Sequence, residues 1–442
     1  MRRMATVILA PAAALCVPAG AAAPPLQREV RLEHLSAREV LAVAATWIEA
    51  GRYDEAQALL DRLTTDGIDD AELHFLSGKI ALARKDYPRA ERQFRTILTR
   101  EPNLVRVRLE LARTLFMMKS DEQADYHFRL AAAAQPPAAV LANIARFRAA
   151  IRERRAWRIN VTLAIAPDSN INAATGRETV DILGLPFKLN PDARAHSGTG
   201  MIVGGDASLR LARNNPVGLY LAAYGRVTNY QRSEFDDVYL GGEIGPEIRL
   251  DGGHLRATAT VFHRWYGGRA LNTSVGGKLE FDRIYHGKTA VDASLALRHD
   301  DYVGREDVDG WVIEAALSAN RALSPSLAGF GYATVTRSAA RDPGYAYWGG
   351  RVGGGVLKEI FWGLRPQLAV EVGGQVNDGP MSLFGRLRRD WSIKASASIY
   401  KRDWRIVGFA PSLRVSYIRN FSTIPLYDQR RLRAELGITK AF

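Results

Sequence analysis

From Val238 to Leu250 the chain changes character at every step. Val238, Leu240, Ile244, Ile248 and Leu250 fall on one side, and Tyr239, Glu243, Glu247 and Arg249 on the other. Successive side chains of a strand point to opposite faces, so one face is apolar and the other charged. The pattern returns about fourteen times between Trp157 and Phe442. A soluble sandwich can carry one such strand. Fourteen in a row, with apolar faces opposed to charged or small-residue faces, predict a closed transmembrane antiparallel barrel, lipid outside and water inside.

The expected strands run over 157–166, 197–213, 217–231, 238–250, 254–266, 271–285, 288–300, 310–322, 326–338, 345–360, 364–377, 389–401, 405–419 and 428–442. Their connections alternate in length. Short ones fall at Asn214 to Pro216, Asp251 to Gly253, His286–Gly287, Leu323 to Pro325, Trp362–Gly363 and Asp403–Trp404. Long ones fall at 167–196, 301–309, 339–344, 378–388 and 420–427. Outer-membrane barrels have short periplasmic turns and long external loops, and an even strand number returns both ends to the periplasm. The last strand carries the kind of signal that barrel assembly machinery reads. Leu432, Ala434, Leu436, Ile438 and Phe442 share a face, Glu435 and Gly437 occupy its polar and glycine places, and Lys440 departs from the pattern.

Ahead of the barrel, Arg2 and Arg3 precede an apolar run from Ala5 to Pro18 and small residues to Ala23. That is a secretory signal peptide, taken as 1–22, with 23–36 as a linker. The single cysteine, Cys16, lies within it, so the mature chain has neither a disulfide nor a thiolate metal site. A net charge of +13 and a pI near 9.8 raise nucleic acid as a partner. The cations are spread over helices and strands without a compact patch, which argues against it.

Between 37 and 155 the sequence is a helical repeat. Ala56, Ala90 and Ala124 recur at a spacing of 34, as do Leu60, Phe94 and Phe128, with Tyr53 matched by Tyr87. Gly78, with Ala44 and Ala112 as counterparts, stands where two helices of a hairpin approach closely. This is similar to the tetratricopeptide repeat, with a closing helix from Ala138 to Arg155. Stacked repeats curve and leave a groove suited to an extended peptide. The expected fold class is therefore α + β in two domains, 37–155 helical and 156–442 barrel.

Catalytic sets are absent: no metalloprotease helix, nucleophile elbow or Walker loop occurs. Gly349, Gly350, Gly353, Gly354 and Gly355 precede no helix and read as relief for a bent strand. Asp300, Asp301, Glu306, Asp307 and Asp309 form an acidic loop whose spacing matches no calcium motif. His263 falls on the lipid face beside Trp265. No catalytic, metal or cofactor residue is assigned. By strand parity the lumen receives Arg226, Arg249, Arg256, Arg264, Lys278, Arg298 and Arg351, with Lys394, Arg414 and Arg433. It also receives Glu243, Glu247, Glu280, Glu314 and Glu371, with Asp282, Asp292 and Glu435. A pore for one polyanion gains from a wall of one sign, whereas this mixture suits internal ion pairs, a plug or a varied polypeptide.

Signal peptide, a few repeats and a fourteen-strand barrel together resemble the surface lipoprotein assembly modulator (Slam) family. Pro167, Asp168, Ser169, Asn170, Ile171 and Asn172, directly after the first strand, look like that family's barrel-start motif. The resemblance implies an outer-membrane translocon that moves client proteins, surface lipoproteins or secreted haem-binding proteins, out of the periplasm. It also implies that the repeats receive the client or a periplasmic chaperone carrying it. A second architecture combines helical repeats with an outer-membrane barrel: exopolysaccharide exporters, which carry longer repeat arrays and pores of one charge sign.

Overall fold

The computed structural model describes residues 7–8, 29–30, 35–154, 156–212, 215–285, 288–360, 364–401 and 409–441. The expected signal peptide and linker lie almost wholly outside the described residues, as do Phe442 and the turn residues Asn214, His286, Gly287, Trp362, Gly363, Asp403 and Trp404. The chain divides into two compact units, one reaching Ile97 and one beginning at Leu98.

The first unit contains α1 (Ala37–Glu49), α2 (Tyr53–Thr65), α3 (Ala71–Ala83) and most of α4 (Tyr87–Arg100). The first helix starts on a capping box. Ser36 Oγ accepts from the Glu39 amide and the Glu39 carboxylate accepts from the Ser36 amide at 2.8 Å, satisfying donors that a helix start leaves unpaired. This hydrogen bonding from Ser36 holds the Glu39 carboxyl below its usual range. Ala44, Ala56, Leu60, Ala90 and Phe94 are fully buried. A Cβ on Gly78 would stand 2.6 Å from the Phe94 ring, so the glycine makes room for the aromatic residue of the next helix. The period also shows in the backbone. Gly51, Lys85 and Lys119, each 34 apart, close their helical hairpins at φ of 76°, 62° and 60°. Only the first is a glycine, although the left-handed conformation favours it everywhere. These features are consistent with tetratricopeptide packing.

The second unit opens with α5 (Val105–Met117), α6 (Asp121–Ala133) and α7 (Ala138–Arg154). Their repeat positions Ala112, Ala124 and Phe128 are buried, and Phe128 stacks on Phe147 of α7 at 5.2 Å. Fourteen antiparallel strands follow and close on themselves. They are β1 (Trp157–Asp168), β2 (Gly198–Leu211), β3 (Val217–Tyr230), β4 (Asp237–Leu250), β5 (Gly253–Tyr266), β6 (Arg269–Tyr285), β7 (Thr289–Tyr302), β8 (Gly310–Ala322), β9 (Leu327–Ala340), β10 (Tyr347–Lys358), β11 (Leu364–Met381), β12 (Arg386–Lys401), β13 (Ala410–Ser422) and β14 (Gln429–Ala441). Each pairs with its neighbour in sequence, and β14 returns to β1.

Alternation along each strand sorts the wall. Leu240, Leu279, Leu295, Leu317, Val352 and Leu436 stand on the outside, each about half exposed or more. Trp265, Trp311, Trp348, Trp391 and Phe421 lie on the same outer face, all near the long-loop end, and Trp391 stacks on Phe421 at 4.1 Å. An apolar band rimmed by aromatic residues is the surface a lipid bilayer requires. This is an outer-membrane barrel. His263 belongs to that rim, 4.2 Å from the Trp265 ring and hydrogen-bonded to Thr273 at 2.7 Å.

Two departures from the sequence reading are structural. The thirteenth strand, expected over 405–419, is described over Ala410–Ser422, with 402–408 outside the described residues. The long connection 167–196 holds a hairpin, Thr179–Ile182 paired with Leu185–Lys188. Its two-residue turn puts Leu183 at φ 52° and Gly184 at φ 85°, the primed geometry that matches strand twist. Leucine in the first turn position gives no sequence signal for such a turn.

Candidate functional site: the barrel lumen and its two mouths

Alternation places the charged residues of each strand on the face opposite the apolar band. On the β2–β7 side they form one connected cluster and two further pairs. Arg256, on β5, reaches Glu247 at 3.3 Å, Asp282 at 3.1 Å and Glu280. Arg210 meets Glu247 at 3.1 Å, and Lys278 joins Glu280 and Glu243. Arg264 takes both oxygens of Asp237 at 2.8 and 2.9 Å, and Arg298 pairs with Asp300 at 3.1 Å. Register explains the cluster. Arg256 stands opposite Glu247 on one side and Glu280 on the other, so three strands present alternating signs at one level. Opposite charges directly across a ladder stabilise the pairing.

The remaining predicted wall residues are spread out. Glu314 lines the same cavity as Lys278 and Arg298. Glu371 accepts from the Tyr332 hydroxyl at 2.5 Å, and Tyr332 lies over Gly353, where a Cβ would be 2.6 Å from its ring. Arg351 covers Gly373, and Arg249 stands opposite His254. In the acidic loop, carboxylates face guanidinium groups: Asp307 faces Arg305 at 2.8 Å and Glu306 faces Arg341 at 3.2 Å. The hydrogen bond from Arg305 holds the Asp307 carboxyl below its usual range.

The segment 167–172 sits at the long-loop end of the seam between first and last strands. The ladder there pairs Leu436–Ala441 with Asn160–Ile165 and then resumes only at Arg433 and Asp168. Beyond the gap, side chains hold the two strands together. Asp168, fully buried, accepts from Arg431 at 2.8 and 2.5 Å and lies 3.9 Å from Arg433. Ser169 donates its amide to the Leu432 carbonyl at 2.9 Å, and its hydroxyl accepts from the Leu432 amide at 2.8 Å. Asn170 is buried and donates to the carbonyls of Ala174 and Arg430 at 2.8 and 3.1 Å. Asn172 donates to Arg194 and accepts from the His196 amide, tying the two ends of the long connection together. Both asparagines answer backbone groups that leave the sheet here, as such groups require once buried. Pro167 is a strand residue opposite Thr199, and Ile171 is buried below the mouth.

Beyond this root the connection spreads across the opening. On one side Asp192 pairs with Arg232 of the β3–β4 connection at 2.9 Å, and His196 packs on Phe235 at 5.5 Å. On the other, Ile182 of the hairpin packs on a buried cluster of Met381, Phe384 and Ile424, joined by Tyr345 and Tyr427. Those residues come from the end of β11 and the connections after β9, β11 and β13. The segment therefore lies over the mouth.

At the short-turn end, α5 and α6 fasten to the rim. Arg108, fully buried, meets Glu359 at 3.3 Å and His127 Nδ1 at 3.0 Å, and donates to the Pro102 carbonyl. Tyr126 donates to Glu359 at 3.4 Å while the Arg365 guanidinium lies 3.7 Å over its ring. Ser326 donates to Asn103 at 2.8 Å, and Leu130, Ala133 and Ala322 close an apolar contact. Sequence reasoning missed Arg108, Glu359 and Arg365. An arginine in the first turn of a repeat helix is the only local hint, and its acceptor lies 251 residues away.

Of the C-terminal signal residues, Glu435 takes Arg226 at 3.3 Å and Arg433 at 3.0 Å. Gly437 stands where a Cβ would be 2.8 Å from the Leu163 carbonyl oxygen across the seam.

Comparison with known proteins agrees with this layout. A family profile described as surface lipoprotein assembly modifier, the name by which the Slam family also goes, matches residues 157–442. Surface lipoprotein assembly modifier 1 of Neisseria meningitidis is 25% identical over 394 residues, covering 83% of this chain and 75% of that protein. The surface lipoprotein assembly modifier of Moraxella catarrhalis is 24% identical, covering 81% and 70%. Among solved structures, the outer membrane channel DcaP of Acinetobacter baumannii aligns with 65% of this chain and 97% of its own at 9% identity and a TM-score of 0.37. The family and the barrel are of a transport or assembly kind rather than a known enzyme class. The chain belongs to the surface lipoprotein assembly modifier family.

Proposed function

We propose that this protein exports client proteins, lipoproteins destined for the cell surface or secreted proteins, through its barrel. The long-loop end then faces outward and the helices face the periplasm. The observation that carries the reading is the closure of the long-loop mouth by a folded segment rooted on Asp168 and Asn170, combined with α5 and α6 fastened to the other rim. A channel for small solutes gains nothing from either feature. A translocon needs both, a receiving surface on one side and a closure that yields to the passing chain on the other. The helical segment 37–155 receives the client or its chaperone, and the mixed-sign wall lets both charges pass without a tight stop. With no nucleotide available in the periplasm, client folding outside supplies direction.

The test compares surface and periplasmic proteomes of a deletion strain with its parent. One or a few surface or secreted proteins should be stranded in the periplasm, with capsule and matrix polysaccharide unchanged. Lost exopolysaccharide with intact protein display would instead establish a polysaccharide exporter. Bridging cysteines placed at Ile182 and Phe384 with a bifunctional thiol reagent should block display, and cleaving the bridge should restore it.

A further inference from the structure

The wall is not uniform from one side to the other. Under the outer segment lies a cavity of about 680 Å³, roofed by Ile171, Asn172 and Ala173. Six cations line it (Arg226, Arg264, Lys394, Arg414, Arg431 and Arg433) against two carboxylates, Asp237 and Glu435. Arg264 is matched by Asp237, Arg226 and Arg433 share Glu435, and Arg431 is held by buried Asp168. Lys394 and Arg414 make no ion pair among the described residues, and Arg433 Nε is buried without a hydrogen-bond partner. Glu371 and Glu435 stand opposite Lys394 and Arg414 in the ladder without closing an ion pair with them, and cations outnumber carboxylates around the cavity. Positive charge gathered along one stretch of a lumen draws anions.

The spacing of the unmatched pair narrows the ligand. Lys394 stands opposite Ile418, and Arg414 stands opposite Ser398. The two cations are thus four residues apart along the strands, roughly 13 Å at the usual strand rise. Two acidic groups at that separation would meet one cation each, and an extended peptide with carboxylates at i and i+4 supplies them, because those side chains share a face at the same interval. Lipid phosphates lie outside the closed wall. We propose that Lys394 and Arg414 form a two-point site for an extended acidic segment of the polypeptide in transit, a site that rests on the export reading above.

Binding to the purified full-length protein in detergent tests it, with labelled peptides Glu-Val-Thr-Val-Glu and Glu-Val-Thr-Glu. The first should bind about tenfold or more tightly than the second, whose carboxylates face opposite ways. K394Q/R414Q should remove that preference and K394R/R414K keep it, with heat-modifiability reporting an intact barrel in each. Inorganic phosphate at matched ionic strength should not compete. Equal binding of both peptides, unchanged binding by K394Q/R414Q, or displacement by phosphate would overturn the site. These readouts need no client. Failure of the deletion strain to strand any protein would instead remove the export reading and leave the peptide preference standing as a property of the lumen.

Discussion

The two halves of this chain handle the same apolar side chains in opposite ways. In the helical repeats Leu60 and Phe94 are 0% exposed and packed between helices, with charge outside. In the barrel Leu295 is 48% exposed and Leu436 62%, while Arg256 and Glu247 are buried among partners. Each arrangement follows from its solvent. Water expels apolar surface inward, and lipid accepts it outward while polar groups turn to the lumen. A period of 34 marks the first regime and a period of two the second.

The comparison breaks most visibly if Phe94→Ala fails to loosen the repeats. Emptying a fully buried aromatic site beside Gly78 should cost about 3–5 kcal/mol. Hydrogen exchange should show α3 and α4 deprotected while the barrel stays heat-modifiable. Next in size is the barrel's own test. Leu295→Arg puts charge on the lipid face and should cost about 2–4 kcal/mol in refolding into lipid, whereas Ser294→Arg, which enters the lumen cavity, should cost far less. Equal tolerance would invert the assignment of faces. Asp168→Ala leaves Arg431 and Arg433 without their buried acceptor at the seam and should cost about 1.5–3 kcal/mol. Faster exchange confined to β1 and β14 would place that loss at the closure. Unfolding that begins elsewhere would deny the seam a special role.

The smallest effect is a pH effect at the first helix. Because the capping hydrogen bonds from Ser36 lower the Glu39 pKa, their stabilisation is present above the ordinary glutamate value and is lost as pH falls through the depressed one. Amide protection in the first turn of α1, corrected for intrinsic exchange, should therefore drop in acid. Glu39→Gln should show a weaker drop. Identical pH profiles for the two proteins would remove the capping box from the account.

Much of the wall is legible in sequence because each strand carries its own information. Val238 to Leu250 announces both faces without reference to any other segment, and Ala56, Ala90 and Ala124 announce the repeat by spacing alone. The Thr179–Lys188 hairpin was hidden because its turn begins with Leu183, a residue that gives no turn signal.

Local sequence, then, determined strand number, inward and outward faces, helical period and the order of the two regions, since alternation and periodicity act over a few residues. Tertiary structure alone decided which charges meet. The Asp168–Arg431 pair joins residues 263 positions apart, Arg108 and Glu359 are 251 apart, and Lys394 and Arg414 close no ion pair among the described residues although Glu371 and Glu435 stand opposite them in the ladder. Barrel closure brings the first strand to the last, and no pattern within either one specifies what its partner will present.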